Sequence, residues 1–275
     1  DLKLKANGIQ SEMPEGWVQR AIDVYEQAIA IARKGEGIIK KEDLAELLST
    51  TATFKYDNKQ YHLIGSQYDE SLDISRKLAE QNPDAFLPKL ARHLGNLANL
   101  HRDLHKYELA EEEYNEALNV YRKLAEKNPD AFLPDVARKI NGIAIIHSST
   151  HNYDLALKEF NEVLSIFRSF SENNLDAFAP EIGMNLSNLA IIHSITCNYD
   201  LAEQEYNEAH KIFRKLVEKD PAKYLFHVSI NLGNLANMHK DIYKYDLAVQ
   251  EYNESISILR DLADKNPYVF FPLVA

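Results

Sequence analysis

The block Leu94-Gly-Asn-Leu-Ala-Asn-Leu-His101 returns 138 residues later as Leu232-Gly-Asn-Leu-Ala-Asn-Met-His239. Two looser copies lie between them, ending at His147 and His193, so the period is 46 residues. Other blocks keep the same phase. Tyr107-Glu-Leu-Ala110 recurs at Tyr153, Tyr199 and Tyr245, and Tyr114-Asn-Glu recurs at Phe160, Tyr206 and Tyr252. An Asn-Pro boundary at Asn82 recurs as Asn128-Pro129, Asn174-Leu175, Asp220-Pro221 and Asn266-Pro267. A chain built this way folds as a stack of like units, each burying the face its neighbour leaves open.

Each unit reads as two helices. Leu90, Leu94, Leu97, Ala98 and His101 form one stripe of helical period, and Tyr107, Ala110, Tyr114, Ala117, Leu118, Tyr121 and Leu124 form the next. The Asn-Pro step ends the second helix, because the residue before proline is pushed out of the helical region. Pro88, Pro134 and Pro180 are expected near the start of the following first helix, where a missing N–H loses no intrahelical partner.

The spacing Leu94-x2-Leu97-Ala98-x2-His101-x8-Ala110-x3-Tyr114-x2-Ala117 resembles the tetratricopeptide repeat (TPR). In that family small residues sit where paired helices approach most closely, which implies the pairs Ala98/Ala110, Ala144/Ala156, Ala190/Ala202 and Ala236/Ala248. His105, His151, Cys197 and Tyr243 stand where the family's turn usually carries glycine, which leaves the turn geometry open. The 46-residue period is longer than the family's usual one and resembles the TPRs of kinesin light chains and many bacterial signalling proteins. The resemblance implies an all-α, right-handed superhelical TPR solenoid of antiparallel helix pairs. Its expected organisation is a linker or partial first helix at 1–13 and one array over 14–275. The array divides into a half repeat (14–37), a degenerate repeat (41–83), full repeats (84–129, 130–175, 176–221, 222–267) and the start of another (268–275).

Charge narrows the function. The net charge is −11, which argues against a nucleic-acid partner, since such proteins carry a basic face. The second helices of the four full repeats hold 20 acidic against 11 basic residues, while their first helices balance. Turn-making residues are scarce: glycine and proline number only 9 each, too few for a large sandwich or propeller. One cysteine excludes an internal disulfide and any cysteine-based zinc cluster. No apolar run approaches the roughly 18 residues of a membrane span. The start Asp1-Leu2-Lys3 is neither a signal peptide nor a Met start, so a cytoplasmic fragment of a longer protein is expected.

Catalytic signatures are absent: there is no phosphate loop, no His-Glu-x-x-His and no nucleophile elbow. No enzyme, cofactor or metal site is expected. The periodic His101, His147, His193 and His239 resemble a ligand set only in their regular spacing, because equivalent positions in stacked helices lie roughly 8–10 Å apart. They read as core histidines. Glu111, Glu112, Glu113 and Glu116 read as a solvated face.

The resemblance places binding on the first helices. Its groove positions fall on Arg92, Asn96, Asn99 and Asp103, on Arg138, Gly142, Ile145 and Ser149, on Met184, Asn188, Ile191 and Ile195, and on Ile230, Asn234, Asn237 and Asp241. Arg92, Asn96, Asn99, Arg138, Asn188, Ile191, Asn234 and Asn237 are the expected peptide contacts, since an amide pairs with a bare peptide bond. Arg92-x3-Asn96 resembles the pair with which some TPRs hold a C-terminal carboxylate. The expected function is protein–protein interaction, with a peptide or protein element in the groove, its end acidic or carboxylate and its centre aliphatic. The alternative is a sensor or self-association segment of a larger signalling protein. Phe270, Phe271 and Leu273, in an uncharged terminal stretch, are expected either to be covered in a longer protein or to drive self-association.

Overall fold

The computed structural model describes residues 16–34, 40–60, 64–171 and 178–265, and every regular element among them is an α-helix. The expectations for 1–13, for the Asn174 boundary and for 268–275 lie outside the described residues. The described helices fall into two compact units, one within 14–151 and one within 152–275.

The 14–151 unit contains α1 (Trp17–Lys34), α2 (Lys41–Asp57), α3 (Ile64–Gln81), α4 (Pro83–Asp103), α5 (Tyr107–Lys127) and α6 (Pro129–Ser149). Each helix packs on the next in the chain, and the first helices α2, α4 and α6 also touch in sequence. The 152–275 unit contains α7 (Tyr153–Ser171), α8 (Ala179–Ile195), α9 (Tyr199–Lys219), α10 (Pro221–Asp241) and α11 (Tyr245–Lys265). It is stacked the same way, with first helices α8 and α10 in contact.

Alanine sets the closeness of the pairs. Ala98 on α4 and Ala110 on α5 are fully buried, as are Ala190 on α8 and Ala202 on α9. Ala190 and Ala202 meet Tyr206, Leu235 and Met238 in one cluster, so the seam of one pair continues into the next. The large repeated ring fills the remaining space: Tyr114, Phe160 and Tyr206 are all within 2% of complete burial.

The boundary between repeats is a single residue. Asn128 ends α5 and caps α6, its side chain accepting from the Ala131 N–H at 3.3 Å. Asn82 and Asp220 do the same for Ala85 and Lys223. Proline follows as the first helical residue, where its missing N–H removes no bond. The first helices therefore start at that proline, and Pro88 and Pro134 lie inside α4 and α6 rather than at their starts. Pro180 does fall in the first turn of its helix, α8.

The turn within each pair keeps the left-handed conformation although no glycine occupies it. His105, His151, Cys197 and Tyr243 have φ between 56° and 63°, and Lys59 has φ 57° in the degenerate repeat. After α4 the Lys106 N–H closes back on the His101 carbonyl at 2.8 Å, and the same closure joins Asn198 to His193 and Lys244 to His239. These bonds satisfy carbonyls the helix end leaves open and hold the residue where a Cβ crowds the backbone. Replacing His105 with glycine is expected to raise stability by about 1 kcal/mol by relieving that crowding. A urea midpoint that falls in His105→Gly would contradict this origin of the turn.

Candidate binding face

The first-helix positions expected to bind are mostly half-buried or exposed, but several are already engaged. In the 14–151 unit Arg92 pairs with Glu46, 46 residues earlier on α2, and its guanidinium lies 3.2 Å from His93 Nε2. Asn96 donates to the Thr53 hydroxyl at 3.3 Å, and Thr53 also meets the Tyr68 hydroxyl at 2.9 Å. The Tyr114 hydroxyl donates to Asn99 Oδ1, while Arg102 donates to the Tyr114 hydroxyl at 3.1 Å. Burial pushes the Tyr114 phenol up to about 12, so it stays a donor at neutral pH. Arg138 is exposed and pairs with Asp135 at 3.0 Å. Gly142 is buried, and the ring of Tyr114 occupies the space where a side chain would stand.

The 152–275 unit carries a different surface. Met184, Ile195 and Ile230 are exposed. Asn188 and Asn234 are half-buried. Ile191 packs on the Ala190–Tyr206–Met238 cluster. Asn237 is exposed, and its Oδ1 accepts from the Tyr252 hydroxyl at 2.5 Å, which repeats the Asn99–Tyr114 bond. In both places the amide oxygen serves the fold, accepting from the tyrosine hydroxyl of the paired helix.

Sequence reasoning missed Lys139. Its ammonium lies over the backbone of Gly95 on the preceding first helix, in the space a Cβ would fill. It makes no ion pair among the described residues. Burial pushes its amine down to about 8; Asp135 pulls the other way, and Arg138 and Arg102 add to the lowering. The signal is present in the period. Positions 93, 139, 185 and 231 read His, Lys, Asn, Asn in a stripe that is otherwise apolar. His93, Asn185 and Asn231 are each at most 2% exposed. Asn231 donates to the Tyr206 carbonyl at 3.0 Å, and His93 Nδ1 meets the hydroxyls of Ser71 and Ser75 at 2.9 and 3.0 Å.

Three of the periodic histidines are half-buried or buried clasps between the helices of a pair. His101 Nδ1 meets Glu113 at 2.9 Å, His193 meets Glu205 at 2.8 Å, and His239 meets Glu251 at 2.8 Å. The reading of Glu113 as part of a solvated face is thereby corrected. Burial raises the carboxyl groups of Glu113, Glu205 and Glu251, and the facing histidine opposes that rise. The constant spacing of 12 residues is the available sign. Glu111 also faces a histidine, His147 Nε2 at 3.6 Å. Among the described residues no three acidic, histidine or cysteine side chains converge as metal ligands. No described helix is long and apolar enough to cross a membrane.

Stacked antiparallel helix pairs with an alanine seam define an all-α repeat protein of the solenoid class. Residues 90–130 match the family model for the tetratricopeptide repeat. The helix stack has a TPR-like fold also seen in solved structures. It is similar to BtubC (BKLC) from P. vanneervenii, with a TM-score of 0.68, 20% identity, and 89% of this chain and 92% of that one covered. A putative kinesin light chain from Podosopora anserina with nearly identical TPR-like repeats gives 0.53 and 13%, covering 83% and 99%. A Rap protein complexed with competence and sporulation factor gives 0.52 and 18%, covering 91% and 74%. No curated protein matches in sequence.

Proposed function

We propose that the protein is a non-enzymatic interaction module whose 14–151 unit holds an acidic peptide against its first helices. The observation that carries this reading is Lys139. A cation held over bare backbone, its amine pushed down by burial and by two arginines, has no carboxylate paired with it among the described residues. An incoming carboxylate supplies that partner, and a charge-assisted hydrogen bond in a desolvated setting is stronger than a neutral one. Arg138 lies one residue away, and Asn99 stands beside Arg102. Arg92 and Asn96 flank the same helix face. In the other unit, Asn188, Ile191, Asn234 and Asn237 offer amides and aliphatic surface to an extended chain. The Rap protein named above, which shares this fold, was crystallised in complex with a factor, and this supports a binding role for such a stack.

The test is calorimetric titration with an octapeptide that has an aliphatic centre and a C-terminal Glu-Asp. Lys139→Met is expected to weaken binding about tenfold, which is about 1.4 kcal/mol, with the melting temperature held. Wild-type affinity is expected to fall as pH rises through about 8, as the amine loses its proton. Equal affinity for Lys139→Met and wild type would refute the assignment.

A further inference from the structure

Two neighbouring turns of the 152–275 unit gather aromatic and aliphatic side chains that the fold leaves in water. Tyr243 is 78% exposed, Tyr245 56%, Leu201 49% and Leu247 42%. The rings of Tyr243 and Tyr245 meet edge to face at 6.1 Å. Tyr199 opens the other turn; its hydroxyl lies 3.4 Å from Cys197 Sγ and within electrostatic range of Asp241 and Tyr243. Lys244 reaches back to Glu203 at 2.9 Å, which ties the second turn to α9. The two turns therefore form one patch. Tyr199 packs its inner side on the Ala190–Ala202–Tyr206 cluster, so its ring is fixed from beneath.

Core packing does not explain this patch. Tyr243 sits at φ 63°, where glycine is favoured and a large side chain is strained. A large residue placed there, and mostly in water, adds to the fold only its edge contact with Tyr245. The charge around it is one-sided. Within four residues of Tyr199, Tyr243 and Tyr245 in the chain stand Asp200, Asp241, Asp246 and Glu203, against Lys240 and Lys244. Lys240 lies 3.6 Å from Asp241 and Lys244 pairs with Glu203, which leaves Asp200 and Asp246 as exposed carboxylates.

We propose that the tyrosine patch formed by the 196–201 and 241–247 turns binds a proline-rich segment carrying a basic residue. A polyproline II helix has no internal hydrogen bonds, and it presents prolines that pack on aromatic rings at little entropic loss. Tyrosine rings held edge to face provide slots for them. An arginine or lysine in the same segment meets Asp200 or Asp246 and can lie over a ring face. This site is on the turn edge of the 152–275 unit and is independent of the acidic-peptide reading.

The probe is a decapeptide of proline pairs separated by arginines. Its controls replace every proline by glycine or every arginine by glutamate. Binding to the 275-residue chain is measured by calorimetry, together with the rate at which a maleimide alkylates Cys197, the single and exposed cysteine. The expected result is slower alkylation with the probe and at least tenfold weaker binding of both controls. Tyr243→Gly is the decisive variant, because glycine suits the turn. It is expected to keep or raise the melting temperature while weakening the probe at least tenfold. The proposal is overturned if the probe fails to bind wild type at millimolar concentration. It is equally overturned if Tyr243→Gly binds the probe as wild type does, or if wild type binds either control as tightly as the probe.

Discussion

Acidification from pH 7 to 4 is expected to destabilise the protein by about 3 kcal/mol through His93 alone. The imidazole is 1% exposed, with its Nδ1 against Ser71 and Ser75 of α3. Its Nε2 faces Arg92 at 3.2 Å and Glu46 of α2 at 3.6 Å. Burial pushes it down to about 4; Arg92 and Lys89 add to the lowering, and Glu46 opposes it. In the unfolded chain the same group titrates near 6.5. Between those values the unfolded state binds a proton that the folded state refuses. Stability therefore falls as the pH falls from about 6.5 to about 4, and levels off below. At about 1.4 kcal/mol per pH unit, a gap of about 2.5 units gives the stated loss. The comparison is with His93→Asn, the residue found at 185 and 231 in the same column. Urea midpoints measured near neutral pH, between the two titration points and close to the lower one should fall more steeply in wild type than in the variant. Parallel curves would show that His93 is not held neutral.

Two glycine-to-alanine substitutions should move stability in opposite directions. At Gly142 an added Cβ meets the Tyr114 ring at 2.5–2.9 Å. That ring is 1% exposed and its hydroxyl is pinned by Asn99 and Arg102, so it cannot give way cheaply. Overpacking of this kind costs about 1–3 kcal/mol, more than the roughly 1 kcal/mol alanine gains in helix propensity. At Gly233, also inside a first helix, the nearest atom is Ser255 Oγ at 3.8 Å, an ordinary contact. There the propensity gain stands alone. Gly142→Ala is expected to lower the denaturation midpoint and Gly233→Ala to raise it. A raised midpoint for Gly142→Ala would mean that the ring does not occupy that space.

These two glycines separate what a repeat makes legible from what it hides. The period locates the helix pairs and the alanine seam, because both recur at one phase and one residue type. Ala98/Ala110 and Ala190/Ala202 need no knowledge of neighbours. The period does not reveal how one repeat meets the one before it. Gly142 stands among the groove positions by phase, yet the ring of the preceding second helix fills it. Lys139 is one residue from the expected Arg138, and its long side chain crosses to Gly95. The His101–Glu113 clasp lies within a repeat and is readable from spacing, but the general acidity of the second helices obscures it. At the turn, residue type argues against the left-handed conformation. Backbone hydrogen bonds such as Lys106 to His101 hold it regardless.

A partner seated on the first helices of the 14–151 unit, as proposed, would shield their backbone amides from solvent. Hydrogen exchange of the 275-residue chain, with and without the Glu-Asp octapeptide, tests it most directly. Slower exchange confined to 83–103 and 129–149, and lost in Lys139→Met, is the result expected. Protection centred on the second helix 107–127, or the same protection in wild type and Lys139→Met, would contradict it.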